Sequence, residues 1–187
     1  MTQTIRAFIA ITLPPAVKNE LAQIRSLLAG QFPDRSVRWV QPDKMHLTLR
    51  FLGDTAVNQL LSITQQLDEL TAEQPAFRLQ LNGLGCFPNR KRPRVIWVGV
   101  AGETATLQLV KHDLDKRLLP LGWTQENKPF RAHLTLGRVK DGRAAARVNW
   151  QATVNPITFP VNALHLIESQ LTSQGPIYTT QHTTVFQ

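Results

Sequence analysis

The sequence predicts an α+β fold with largely antiparallel strands, and three observations carry that prediction. Strand-like and helix-like segments interleave along the chain. Pairs of strand-like segments also follow one another through short turns, after the second helix and near the C-terminus, which a doubly wound parallel sheet with a helix in every crossover would not allow. Finally, the word His-Leu-Thr-Leu occurs twice, at residues 46–49 and 133–136, so each half of the chain contributes strands, a helix and one copy of this tetrapeptide. With 187 residues, 42% of them hydrophobic, the chain can bury a sizeable core; residues 1–187 are expected to form one domain of two similar halves.

The elements follow in order. Residues 5–13, "IRAFIAITL", are β-branched and aromatic and end at a Pro pair, which reads as a strand. In "AVKNELAQIRSLL" the residues Val17, Leu21, Ile24 and Leu28 recur at spacings of three and four, giving a helix with one apolar face that stops near Gly30. Residues 37–40 and 45–52 read as short strands joined through the turn-prone "QPDK". Asp54 is expected to cap a second helix over about 55–72, with Val57, Leu60, Leu61, Thr64, Leu67 and Leu70 at helical period. Strands return in "AFRLQLNGLGCF" and "RVIWVGV", and a third helix uses Leu107, Val110, Leu114 and Leu118. The second tetrapeptide strand, "PFRAHLTLGRV", precedes the C-terminal strands "ITFPVNALHLIESQL" and "IYTTQHTTVF", between which Gly175-Pro176 is read as a turn. Residues 140–149 are the expected exposed loop.

Composition narrows the chemistry. Twenty-one Lys and Arg against 13 Asp and Glu give a formal charge of +8, which favours polyanionic partners but is shared by many proteins with merely solvated basic surfaces. Cys86 is the only cysteine, so neither an intrachain disulfide nor a Cys-based zinc site can form, as suits a reducing cytosol. The N-terminal apolar run is interrupted by Thr12 and the Pro14-Pro15 pair and is read as structure, not a signal peptide. No stretch approaches the roughly 18 uninterrupted apolar residues of a membrane helix.

Strand alternation gives the repeated word its chemical content. His46 and Thr48 share one face, with Arg50 beyond them, while Leu47, Leu49 and Phe51 take the other; His133 and Thr135 stand likewise against Leu134 and Leu136. A single His-x-Thr is more often a solvated strand face than a site. Two copies related by an approximate two-fold axis would instead place both pairs in one central cleft. Opposed imidazoles suit displacement at phosphorus, because one can accept a proton from the attacking group while the other gives one to the leaving oxygen. Threonine hydroxyls can hydrogen-bond the non-bridging oxygens as charge builds there. A metal centre is disfavoured, since neither motif has a further His, Cys or carboxylate at ligand spacing on the same face, and no cofactor is demanded. His112, His165 and His182 stand alone and read as surface or structural residues. Trp39, Phe87, Trp97 and Phe130 could stack on a base, but aromatics at strand positions are mostly core and none is singled out.

The two His-x-Thr motifs half a chain apart, with "RAFIAITLP", "VRWVQPDKMHLTLRFLGD", "PFRAHLTLGRV" and "ESQLTSQGPIYTT" around them, resemble the two-histidine phosphoesterase superfamily. The likeness spans nearly the whole chain and is closest to the branch of RNA 2',3'-cyclic phosphodiesterases, also called 2'-5' RNA ligases. The resemblance implies a bilobal α+β fold, with two pseudo-symmetric lobes around a cleft and helices outside. It also implies metal-free hydrolysis of an RNA terminal 2',3'-cyclic phosphate to a 2'-phosphate. By motif position, His46 resembles the proton donor to the departing 3' oxygen and His133 the base that activates water. Thr48, Thr135 and Arg138 match phosphate-binding positions. An RNA 5'-hydroxyl in place of water would give reversible, ATP-independent 2'-5' ligation. The implied protein is a cytoplasmic monomer acting on RNA ends that carry a 2',3'-cyclic phosphate or a 2'-phosphate. Ala132 departs from the family's frequent Pro, and Arg50 stands where a small or apolar residue is common.

Arg90, Lys91, Arg92 and Arg94 form the densest basic run, and with Arg50 they are candidate RNA contacts; a solvated hairpin loop explains the run equally well. Two other functions fit the same motifs. One is hydrolysis of another 2'-5' linked or cyclic nucleotide, the other a non-catalytic module that binds RNA ends.

Overall fold

The computed structural model describes residues 3–140 and 148–187. Its frame is one nine-stranded sheet in which every registered pair is antiparallel. In chain order the elements are β1 (Thr4–Thr12), α1 (Pro15–Ala29), β2 (Val37–Trp39), β3 (His46–Ala56), α2 (Leu60–Ala72), β4 (Phe77–Phe87), β5 (Val95–Gly102), α3 (Thr104–Leu118), β6 (His133–Val139), β7 (Thr158–Val161), β8 (Ala163–Thr172) and β9 (Gly175–Val185). The strands run β7-β4-β5-β6-β3-β1-β8-β9 across the sheet, with β2 attached to β6. The two tetrapeptide strands, β3 and β6, are therefore neighbours at the centre.

The junction between them is thin. Strand β3 pairs with β1 from Thr4↔Ala56 to Thr12↔His46, whereas β3 and β6 share one registered pair, Leu47↔Leu134. The sheet thus consists of two well-bonded halves that meet along a narrow seam at that leucine pair.

The helices cover one face. Helix α1 begins with Pro15 at its first position, where a missing N–H costs nothing, and lays Val17, Leu21, Ile24 and Leu28 into the core against β6. Each of these side chains contributes on the order of 1.5–3 kcal/mol by leaving water. Helix α2 packs on β8 and β9, and α3 on α2 and β3. From the strands, Ile9, Ile11, Leu47, Leu79, Leu81, Ile96, Val98, Leu134 and Leu166 join the same cluster. On the opposite face Phe8, Ala10 and Ile167 form a separate small cluster with Tyr178.

Several expectations change. Asp54 does not cap a helix, because β3 continues to Ala56 in register with β1, and a 3-10 turn at Val57–Gln59 precedes α2. The buried face of α2 is Ile63, Leu67, Leu70 and Thr71; Leu61 is 68% exposed. Strand β2 passes through a 3-10 turn at Pro42–Lys44 before β3, and its partner is β6. That pairing needs a glycine: a Cβ on Gly137 would lie 2.8 Å from Val37 Cγ1 and 2.9 Å from Trp39 Cε3. The C-terminal turn falls at residues 173–174, so Gly175 and Pro176 already belong to β9. Of the exposed loop expected at 140–149, residues 141–147 lie outside the described residues.

Candidate active site

The face opposite the helices carries the polar half of each tetrapeptide. Leu47↔Leu134 is the central pair, so antiparallel geometry sets His46 near Thr135 and Thr48 near His133. The two imidazoles then occupy diagonal positions, for which Cβ separations are on the order of 7–8 Å, room enough for a phosphoryl group between the rings.

Simple alternation fails one residue later. Ile9 pairs with Arg50 and Ala10 with Thr48, so Leu49 is the extra residue of a β-bulge. The same irregularity recurs in the other half, where Ile96 pairs with Gly137 and Trp97 with Thr135, leaving Leu136 as the extra residue. Beyond each bulge the faces exchange. Arg50 therefore does not accompany His46 and Thr48 but turns under the sheet, where it is 5% exposed, and the reading of Arg50 as an RNA contact or an exposed rim charge is overturned. Phe51 comes out onto the cleft side, with its ring 6.1 Å from that of Phe8. The second bulge brings Arg138, which strict alternation would set opposite His133, onto the imidazole side, where its positive charge acts on His46, His133 and Tyr178 together.

Both imidazoles are held alike. His46 Nδ1 lies 2.9 Å from the Lys44 carbonyl oxygen, and His133 Nδ1 lies 2.6 Å from that of Arg131. A carbonyl only accepts, so each Nδ1 carries the proton and each Nε2 is left for chemistry. Burial is the largest influence on both pKa values and lowers them. Arg138 lowers both further and Lys18 acts on His46, against an upward pull from the carbonyl bonds. Each ring also has an aromatic wall. Phe8 stacks on His46 at 4.7 Å and Tyr178 meets it edge-on at 5.4 Å; Phe87 and Trp97 meet His133 at 5.1 and 6.4 Å. Trp97 can lie there because Gly85, its partner on β4, has no side chain to strike the indole.

Of the aromatic candidates, Phe87 and Trp97 thus flank His133, while Trp39 packs on Phe32 and Phe130 sits under Lys111. Sequence alone does not single out Phe8 and Tyr178. Two residues before Tyr178, the Pro176 carbonyl accepts from the Lys44 ammonium at 2.8 Å, a contact no local pattern encodes. His165 bridges the Thr12 and Thr183 hydroxyls at 3.0 Å each, and His182 pairs with Asp68 at 2.7 Å. Arg90, Lys91 and Arg92 are exposed on the loop that starts at Phe87, except that the loop's own backbone is tied down. Asn89 Oδ1 accepts the Lys91 and Arg92 amides at 3.1 Å, and Arg94 donates to the Lys140 carbonyl. Among the described residues no three His, Cys, Asp or Glu side chains converge.

Two imidazoles whose Nε2 atoms have no hydrogen-bond partner among the described residues, with two hydroxyls and a guanidinium on two adjacent antiparallel strands, form an arrangement suited to processing phosphate esters. The family model described as LigT like Phosphoesterase matches residues 11–97 and 98–178, each segment containing one His-Leu-Thr-Leu strand. Curated relatives named RNA 2',3'-cyclic phosphodiesterase include one from Aeropyrum pernix, 34% identical over 87% of this chain and 92% of its own, and one from Archaeoglobus fulgidus, 34% identical over 93% and 96%. Among solved structures, a Thermus thermophilus protein superposes with a TM-score of 0.83 at 30% identity, covering 97% of this chain and 98% of that one. Escherichia coli LigT complexed with 3'-AMP gives 0.78 at 26% identity, covering 98% and 99%. The chain belongs to the LigT-like phosphoesterase family.

Proposed function

We propose that this protein hydrolyses the 2',3'-cyclic phosphate at RNA ends to a 2'-phosphate, with the two imidazoles as base and acid. The observation that carries the reading is the matched pair of Nε2 atoms, each presented by an Nδ1–H bond to the carbonyl two residues earlier. His133 Nε2 takes a proton from water as its oxygen bonds to phosphorus. The P–O3' bond breaks, and His46 Nε2–H gives its proton to the departing 3' oxygen. The product is a 2'-phosphomonoester and a free 3'-hydroxyl, and the step balances with these groups alone. Thr48, Thr135 and Arg138 meet the non-bridging oxygens as charge grows on them.

Burial and Arg138 both disfavour the imidazolium form of His46 and His133 in the free protein, which favours the base but not the acid. The arriving phosphate anion favours the imidazolium and restores the proton His46 needs. An RNA 5'-hydroxyl in place of water makes the same displacement a reversible 2'-5' ligation. The names of the curated relatives support the substrate, and the bound 3'-AMP of E. coli LigT supports a nucleotide in the cleft. Because one chain holds both halves of the site, the enzyme works as a monomer, and a single cysteine suits the cytosol. Arg90, Lys91 and Arg92, beginning beside Phe87, extend the phosphate path beyond the reactive group.

The test is incubation with an oligoribonucleotide ending in a 2',3'-cyclic phosphate, in chelator, with identification of the product phosphate. A 2'-phosphate is expected; binding without turnover would instead make the protein an RNA-end-binding module. Replacing Arg90, Lys91 and Arg92 by Gln should reduce the salt dependence of binding by about one unit of slope for each phosphate no longer neutralised, and an unchanged slope removes the loop from the RNA path.

A further inference from the structure

The bulge that turns Arg50 under the sheet also gives it partners in the other half of the site. Its Nη2 donates to the Thr124 carbonyl, and its Nη1 lies 3.3 Å from Asp115 Oδ1 and 3.4 Å from Glu126 Oε2. Lys111, 4% exposed on α3, completes the cluster at 2.5 Å from Asp115 and 3.1 Å from Glu126, with its ammonium 5.7 Å from the centre of the Phe130 ring. Two cations and two carboxylates offset one another in formal charge; Arg50, Lys111 and Asp115 are largely buried, while the Glu126 side chain is 41% exposed.

Its place in the chain gives the cluster meaning. Thr124, Glu126 and Phe130 lie on the segment that leads from α3 to β6, and its next residue, Arg131, supplies the carbonyl that holds His133 Nδ1. The same segment is tied to β3 once more, by Trp123 Nε1 donating to the Leu52 carbonyl at 2.9 Å. The sheet itself joins the two motif strands by one registered pair. Without a further tie, the tilt of one motif relative to the other would rest on Leu47 and Leu134.

We propose that Arg50 is a positioning residue for His133: from the first motif strand it fixes, beneath the sheet, the segment whose Arg131 carbonyl sets the tautomer and aim of the second imidazole. Arg50 touches neither substrate nor the reacting atoms. Its planar fork reaches Thr124, Asp115 and Glu126 at once, which a lysine ammonium at the same position cannot do. The catalytic half of this inference rests on the phosphodiesterase reading; the structural half does not.

The experiment compares the full-length protein with Arg50→Lys, which keeps the charge of the quartet, and with Glu126→Gln, which loosens the same segment from its other side. Imidazole 15N spectra read the tautomers directly and need no turnover. In the parent, His46 and His133 should each be the Nδ1–H form. In Arg50→Lys, His133 should become a mixture of tautomers while His46 keeps its signature, and Glu126→Gln should move His133 in the same direction by less. On a cyclic-phosphate substrate, kcat of Arg50→Lys should fall on the order of ten- to hundredfold with KM changed less than about twofold, as misplacing one reacting group does. An unchanged His133 tautomer in Arg50→Lys, or an equal change at His46, overturns the inference. A parent without turnover but with the tautomer response intact would instead overturn the phosphodiesterase reading and leave Arg50 as the residue that orients His133.

Discussion

The two motif strands share a backbone and differ in what the backbone presents. In β3 and β6 alike, His-Leu-Thr is followed by a bulged leucine, and each histidine is held by the carbonyl two residues before it. After the bulge the sequences part. Strand β3 sends Arg50 into the interior and Phe51 into the cleft; β6 sends Gly137 into the interior and Arg138 into the cleft. Past its bulge, one strand therefore adds a ring beside Phe8, and the other a positive charge that acts on both imidazoles. Equal geometry with unequal surroundings is what would let two identical groups serve as acid and base in the proposed reaction.

The largest effect should come from removing either ring. His46→Ala and His133→Ala are each expected to lower turnover on a cyclic-phosphate oligonucleotide by about 10²–10⁴-fold, measured by product formation in chelator. Near-parent rates in either variant would break the symmetry of the account.

Stability should separate the two positions just past the bulge. Arg50→Ala leaves Asp115 and Glu126 with Lys111 alone and should cost about 3–5 kcal/mol, as breaking a buried ion cluster does. Gly137→Ala forces a Cβ against Val37 and Trp39 and should cost about 1–3 kcal/mol. Denaturant unfolding of both variants checks the order, and a larger loss at Gly137 would show that the seam is held by packing of β2 rather than by charge.

The pH dependence tests the electrostatics of the cleft. Burial, with Arg138 adding to it, lowers both imidazole pKa values in the free protein. A plot of kcat/KM against pH should therefore be bell-shaped, with both limbs below the ordinary histidine value of about 6.5. Arg138→Gln removes a charge that opposes both imidazolium ions, so both limbs should move to higher pH, and only partly, since burial is the larger cause. The smallest signal is the proton itself. Phosphate or 3'-AMP binding near pH 6.5 should take up a fraction of a proton as an imidazole charges, visible as a binding enthalpy that varies with the ionisation enthalpy of the buffer. Binding without proton uptake would mean that the ligand anion does not reach either ring.

Much of this comparison is legible in the sequence, up to a definite residue. The repeated tetrapeptide, the apolar faces of α1 and α3 and the antiparallel pairing all follow from periodicity and turn residues. Alternation places His46 with Thr48 and His133 with Thr135. It fails at Leu49 and Leu136 because a bulge there has no local mark: neither residue is Gly or Pro, and the irregularity lies in pairing with β1 and β5, which are remote in sequence. The places of Arg50 and Phe51 are hidden for that reason. The start of α2 is hidden too, because Asp54 looks like a cap while its backbone pairs with Arg6. Phe8 and Tyr178 reach His46 through strands at the two ends of the chain, a juxtaposition that only the folded sheet creates.

Different duties for two identical imidazoles are tested most directly by a change in the leaving group. A cyclic substrate with sulfur in place of the bridging 3' oxygen departs as a thiolate, which needs no proton from the enzyme. If His46 is the acid, His46→Ala should regain most of its lost rate on the sulfur substrate while His133→Ala stays impaired. Rescue of His133→Ala instead, or equal rescue of both variants, would contradict the assignment.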